Sequence, residues 1–409
     1  MTALKTVYYS NIKIMEISIS DKWKYGALPG LLIHSCLGTI YCWSLITEPV
    51  KEAMGGVSCE WAFSLAMFFL GLTAAFIGPI IDRNVKLSLL ISSVCFGTGM
   101  ILSGIACATS NPVLFHVGYG IIMGIGLGIG YVGPIRTLLL WFHDRKGLAA
   151  GIAVAGFGLA KILGGPGFSY FIKHFGITET LVFHGFLYLL IMLLSVIFIK
   201  RPDDIPEKKT SISSWISDLG STIRLPNIWN YWLIFFLSTS AGLAIISSEA
   251  AFFRYSGITA FGIGFAVSLC AITNTFGRIF GGWISDFVKN KGNILGIITV
   301  ISILSCLMGF SSPKMVSWLV LVCNAEYGAM FAILPGVLAN KYGVNNVSKT
   351  LGMVLSSWAL SGLFGNQLAQ LAMWLPISYS PRIIIICATI LYLIAVYHCA
   401  KIWENRNKE

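Results

Sequence analysis

Apolar residues along this chain come in long continuous runs, with neither the alternation of a half-buried strand nor the narrow stripe of a surface helix. Runs of about 20 residues, enough to cross a hydrocarbon core, stand near residues 27–49, 60–81, 86–108, 113–141, 147–172 and 178–199. Six more follow near 228–252, 260–287, 292–311, 315–340, 349–373 and 381–402. Each is predicted as a helix, because lipid offers no partner for an unpaired backbone group and the barrel-strand alternation is missing. One long polar stretch breaks the series, from Lys200 to about Asn227, with Arg201, Asp203, Asp204, Glu207, Lys208 and Lys209 in it. It divides the chain into a first half (1–200), a cytoplasmic linker (201–227) and a second half (228–409). The predicted fold class is therefore an all-α membrane protein, with twelve transmembrane helices in two pseudo-symmetric six-helix bundles.

The halves echo each other in sequence. Gly78-Pro79-Ile80-Ile81-Asp82 follows the second run, and Gly282-Trp283-Ile284-Ser285-Asp286 follows the eighth, 204 residues later. In the fifth and eleventh runs, Gly151 and Gly164 correspond to Gly352 and Gly365, an offset of 201 residues. Two related six-helix units facing each other are a known route to alternating access.

Composition narrows the class further. Of 409 residues, 56% are hydrophobic and 11% charged, where a soluble chain carries roughly a quarter charged. The mean hydropathy is +0.79. The net charge of +11 would suit nucleic acid, but its distribution points elsewhere. With the N-terminus inside, cytoplasmic segments hold 20 of the 28 Lys and Arg, external loops hold five, and three lie within helices. That asymmetry is the positive-inside rule. It predicts both termini in the cytoplasm of a multi-pass protein of the bacterial inner membrane, with the bilayer as partner and no nucleic acid. The opening segment, with Lys5, Lys13, Lys22 and Lys24, reads as a cytoplasmic tail and not as a cleaved signal.

Several chemistries are disfavoured. Ten cysteines without paired spacing read as small core residues, so neither a disulfide frame nor a metal site is expected. The glycines at 124, 126, 128, 130 and 133 sit in an apolar helix with no strand before them, so they suit helix packing better than a phosphate loop. No Walker motif, metal set or nucleophile–base arrangement stands out. A cofactor and an enzyme active site are therefore not expected.

The loop Gly78-Pro79-Ile80-Ile81-Asp82-Arg83 resembles the motif between helices two and three of the major facilitator superfamily. It departs afterwards, with Asn84, Val85 and Lys86 where that motif has Gly and basic residues. Within the superfamily the chain is most similar to the oxalate:formate antiporter family and its pyruvate- or lactate-transporting relatives. The similarity rests on residues 38–45 and 49–51 in helix one, Trp141-Phe142-His143-Asp144-Arg145-Lys146-Gly147-Leu148-Ala149, Leu225-Pro226-Asn227-Ile228-Trp229, Gly277-Arg278 and Ser285-Asp286. The resemblance implies a secondary transporter of a small organic anion, by exchange or with a proton, expected to work as a monomer. It also makes Asp82, with Arg83 beside it and Asp286 in the second half, gating candidates. The plainer reading of Asp82 is an acid capping a helix end.

Charges inside the bilayer mark the candidate site. Arg278 lies 8 residues before Asp286, roughly 12 Å from the inner helix end and near the midplane. Asn274, Arg278, Gly281 and Ser285 share one helix face. A guanidinium offers paired donors matched to a carboxylate, and the resemblance assigns Arg278 to substrate binding. A structural ion pair is the alternative. The family antiporter's second cation, a lysine in helix eleven, is replaced by Trp358, which favours a monocarboxylate such as pyruvate, lactate or formate. Lys161, roughly 21 Å from the inner end, could supply a second cation for dicarboxylate:monocarboxylate exchange, pair with a buried acid, or snorkel outward. Glu326 is a candidate for proton coupling or a static partner of Lys161 or Arg136, and Glu249, roughly 30 Å from the inner end, is a second. Arg136 is expected to pair with loop acids or phospholipid near the inner surface. Tyr41 shares a face with His34 and Gly38 and is a cavity candidate, while His116, His184 and His398 read as satisfied helix residues. A transporter-like nutrient sensor is the reading from another class, disfavoured by short loops.

Overall fold

Twelve helical spans follow one another along the chain, with no strand among the described residues, in a computed structural model that describes residues 19–142, 144–202, 220–288, 291–376 and 378–406. Lys5 and Lys13, and the linker residues Asp203, Asp204, Glu207, Lys208 and Lys209, lie outside that range. We label the spans α1 (residues 19–53), α2 (Trp61–Arg83), α3 (Val85–Ala108), α4 (Pro112–Trp141), α5 (Lys146–Phe175) and α6 (Ile177–Phe198). The second set is α7 (residues 228–255), α8 (Ala260–Ser285), α9 (Lys291–Ser311), α10 (Pro313–Tyr342), α11 (Val347–Met373) and α12 (Ser380–Arg406).

By length and composition, nine of the described helices are apolar enough to cross a membrane, or ten when bent α1 counts as one span. The other two of the twelve spans, α8 and α11, carry polar residues that the fold buries: Asn274, Thr275, Arg278 and Ser285 on α8, and Thr350, Ser357, Ser361 and Asn366 on α11. Two spans are broken within the runs expected to be single helices. In α1 the helix tightens over Gly38–Cys42 and bends by 62°. In α7, Ile228–Ile246 stops and Glu249–Tyr255 restarts after Ser247 and Ser248. Both breaks lie beside the candidate site.

Burial sorts the helices by layer. The apolar stretches of α7 and α10 are each 72% buried, against 33% for α6, 39% for α9 and 28% for α12. The last three therefore carry the surface that a hydrocarbon solvent would wet. The central layer packs backbone against backbone through small residues, as expected where lipid tails compete with apolar side chains. The internal repeat is visible here. A Cβ on Gly151 of α5 would meet the Arg278 carbonyl oxygen of α8 at 2.6 Å, and one on Gly352 of α11 would meet the Ala74 carbonyl oxygen of α2 at 2.7 Å. Gly164 likewise abuts Thr39 of α1, and Gly365 abuts Ser240 of α7. Corresponding glycines thus make corresponding contacts.

Candidate functional site

The face of α8 singled out by its spacing turns inward. Asn274, Arg278 and Ser285 are all buried, and Arg278 has no exposed surface. Its Nε donates to Asn274 Oδ1 at 2.9 Å, one helical turn back. The guanidinium packs over the rings of Phe331 on α10 (5.3 Å) and Phe157 on α5 (5.7 Å), one from each set of six helices. Among the described residues, neither Nη1 nor Nη2 has a hydrogen-bond partner. The hydroxyls of Tyr41 and Tyr131 stand close enough to interact with the charge, but neither meets hydrogen-bond geometry with a terminal nitrogen. Each cation–π contact is worth about 0.5–2 kcal/mol, whereas taking one ion out of water costs on the order of several kcal/mol. The two open nitrogens form a fork of donors that could hold a carboxylate.

An aromatic layer closes over this charge. Trp358 Nε1 donates to Tyr327 Oη at 3.1 Å, and Tyr327 Oη lies 3.5 Å from Tyr41 Oη across the molecule. Tyr131 packs edge-on against Trp358, and Phe331 sits between Tyr327 and Trp358. His34 anchors the α1 side, with Nε2 3.0 Å from the Tyr131 carbonyl oxygen and Nδ1 against that of Ala153. Above the layer is a tight pocket of about 20 Å³, lined by Tyr41, Phe157, Lys161, Asn274, Asn324 and Tyr327. That is little more than room for one water. A wider vestibule of about 470 Å³ lies beyond it, running from Tyr41 and Lys161 out to Glu48, Glu60, Arg254 and Gln370.

Lys161 is not left for solvent or headgroups. Its Nζ donates to Glu249 Oε2 at 2.9 Å, in a pair with 16% and 4% of the two side chains exposed. Of the readings open for Lys161, pairing with a buried acid is the one the structure holds, and the acid is Glu249. Glu249 itself, set by the sequence near the outer surface, is buried because the break in α7 turns its side chain back toward α5 and α10. Glu326 pairs with neither Lys161 nor Arg136. Its Oε2 accepts from Tyr392 of α12 at 3.2 Å, so it points behind α10 and away from both cavities.

At the end carrying the α2–α3 turn, the two sets of helices are stitched together. Asp286 accepts from the backbone N–H groups of Gly147 (2.8 Å) and Leu148 (2.9 Å), capping α5. Arg136 donates from Nε to Asp82 Oδ1 at 3.0 Å and from Nη1 to the Val344 carbonyl oxygen at 2.7 Å. Lys146 reaches Asn340 at 3.4 Å. Asp82 and Asp286 therefore do matching jobs, one through Arg136 and one directly, while Arg83 is exposed. Of the partners open to Arg136, loop acids or phospholipid, the structure supplies an acid, Asp82, which lies in the last turn of α2. The Arg136 bridge to Val344 was not legible in the sequence.

The scaffold and its charges invite comparison with known proteins. The family model of the Major Facilitator Superfamily matches residues 30–366. The chain belongs to the Major Facilitator Superfamily. It is 24% identical over 361 residues to the oxalate:formate antiporter of Oxalobacter formigenes, covering 86% of this chain and 84% of that one. It is 22% identical to apicoplast pyruvate carrier 1 of Toxoplasma gondii, covering 83% of this chain and 82% of the other. Its fold matches that of the fucose:proton symporter FucP of E. coli with a TM-score of 0.63 at 16% identity, over 91% of this chain and 98% of that one. This facilitator is a multi-pass membrane transporter, not an enzyme.

The sequence missed the aromatic partners. Tyr131, Phe157, Phe331 and Tyr327 are ordinary apolar-helix residues by pattern, and only tertiary packing gathers them around Arg278. Asn324, two residues before Glu326, links Asn274 to Glu249.

Proposed function

We propose that this facilitator carries a small monocarboxylate, of the pyruvate, lactate or formate type, across the bacterial inner membrane. The observation that carries the reading is the buried Arg278 guanidinium with both terminal nitrogens open, between the halves. A fork of donors in a water-poor site suits one carboxylate group. Relatives named for oxalate and formate exchange and for pyruvate support the substrate class. Asn274 orients the guanidinium, Tyr41 and Tyr327 form the lid above it, and Trp358 holds Tyr327. The anion enters the vestibule and opens the Tyr41–Tyr327 contact. It then neutralises Arg278, and the halves 1–200 and 228–409 rock about it as a monomer.

The positive-inside pattern puts the α2–α3 end in the cytoplasm, with both termini. The vestibule then opens outward, and the Asp82–Arg136–Val344 and Asp286–Gly147 contacts form the inner gate. Of the two acids considered for proton coupling, Glu249 lines the vestibule and Glu326 does not. The dicarboxylate reading is weaker, because Lys161 is already neutralised by Glu249. The test is uptake of labelled pyruvate, lactate, formate and oxalate into proteoliposomes, with and without a pH gradient or an internal counter-anion. Saturable uptake of monocarboxylates above that of empty liposomes is expected. Accumulation driven by the gradient alone assigns symport, and a requirement for internal anion assigns exchange. No uptake of any of the four would end the reading.

A further inference from the structure

Two charged centres in this protein are joined by an unbroken polar chain. Lys161 Nζ donates to Glu249 Oε2, and Asn324 Nδ2 donates to Glu249 Oε1 at 3.0 Å. The Asn324 carbonyl oxygen accepts from Asn274 Nδ2 at 3.1 Å, and Asn274 Oδ1 accepts from Arg278 Nε at 2.9 Å. Lys161, Asn274 and Asn324 line the tight pocket, and Lys161 and Glu249 line the vestibule leading to it. The anion must therefore pass both members of the ion pair on its way to Arg278.

The charge count decides what can pass. Among the described residues, Lys161 and Arg278 are the two cations of the inner stretch and Glu249 is the one acid paired with either of them, so that stretch carries a single net positive charge, while Glu48, Glu60 and Arg254 lie farther out along the vestibule. A monoanion completes that balance. The second carboxylate of a dianion would meet an ammonium whose charge is already cancelled, together with the negative charge of Glu249. In a water-poor cavity such a like-charge encounter is costly, and rejection of this kind sets specificity as firmly as attraction does. Asn324 holds the other carboxylate oxygen, so Glu249 is fixed from two sides and does not swing away at little cost.

We propose that Glu249 determines the charge of the cargo: by engaging Lys161 it hides a second cation, and its removal turns a monocarboxylate carrier into one that accepts small dicarboxylates. This rests on Arg278 being the anion site. The experiment measures pyruvate and oxalate uptake at neutral pH in proteoliposomes holding wild type, Glu249→Gln, Lys161→Gln, the Lys161→Gln/Glu249→Gln double variant and Arg278→Gln. Glu249→Gln should raise the oxalate-to-pyruvate uptake ratio at least tenfold, and the double variant should lose that gain. Lys161→Gln should lower pyruvate uptake at least tenfold, because Glu249 then opposes the anion, and the added Glu249→Gln should recover most of it. That rescue tests the idea even if Glu249→Gln alone does not fold. A monodisperse Glu249→Gln protein with the wild-type ratio, or a double variant no better than Lys161→Gln, overturns the proposal. If Arg278→Gln abolishes pyruvate uptake in the same experiment, the anion site survives that failure. If Arg278→Gln transports normally, the anion site and this inference fall together.

Discussion

Arg278 shows how much of a site one intramembrane charge can reveal. A guanidinium on an apolar helix is too costly to hold idle, and the structure buries Arg278 completely. What could not be read was its company. Phe157 and Phe331 approach from helices far apart in sequence, and aromatics are too common in such a chain to single out. The same holds for Lys161, whose partner was sought in Glu326, while the fold supplies Glu249. Choice of partner is a tertiary fact. Two predictions belong to this scale. Arg278→Lys keeps the charge but loses the planar fork, so uptake should fall at least tenfold, measured as initial rate in proteoliposomes. Tyr327→Phe leaves the buried Trp358 N–H without its acceptor, at about 1–3 kcal/mol. It should appear as a lower unfolding temperature in detergent.

At the scale of elements, hydropathy located eleven of the twelve spans to within four residues at each end, whereas α1 begins eight residues before its expected start. Hydropathy did not find the breaks in α1 and α7, at Gly38–Cys42 and Ser247–Ser248, although the polar step Ser247-Ser248-Glu249 marks the second. Helix identity is a statement about solvent, whereas a break is a statement about neighbours. The repeated glycines were legible because their spacing recurs, and the seams they form connect α5 to α8 and α11 to α2. Gly151→Val would press a branched side chain into the Arg278 carbonyl, only 2.6 Å from a Cβ at that position. Such overpacking typically costs about 1–3 kcal/mol. The expected result is a lower unfolding temperature together with a loss of transport, while Gly165→Ala on the same helix, where a Cβ meets only a leucine methyl at 3.8 Å, changes neither.

The molecule as a whole is closed at one end and hollow at the other. The closed end depends on few groups. Asp286 alone supplies two hydrogen bonds to the start of α5, and Arg136 bridges Asp82 to Val344. Charge-assisted bonds of this kind are worth about 1.5–3 kcal/mol, so Asp286→Asn should shift the population by tenfold or more toward opening at that end. A cysteine placed at Gly336, buried on α10 against Gly147 at the start of α5, reads this out, since the ten native cysteines are all buried or half-buried. Its labelling by a membrane-impermeant maleimide in inside-out vesicles should speed up in Asp286→Asn. Unchanged labelling would show that the gate lies elsewhere. The sequence named both acids, yet it could not show that they clasp opposite halves, because the contacts join residues 138 to 208 positions apart.

These scales meet at one claim, that the open guanidinium of Arg278 is the counter-charge for a carboxylate in transit. The most direct test is labelled pyruvate uptake by Arg278→Gln in proteoliposomes beside wild type, at equal protein and with unfolding temperature as a control for folding. Uptake at the level of empty liposomes, in a protein that unfolds as wild type does, is the predicted result. Saturable uptake within twofold of wild type would contradict it.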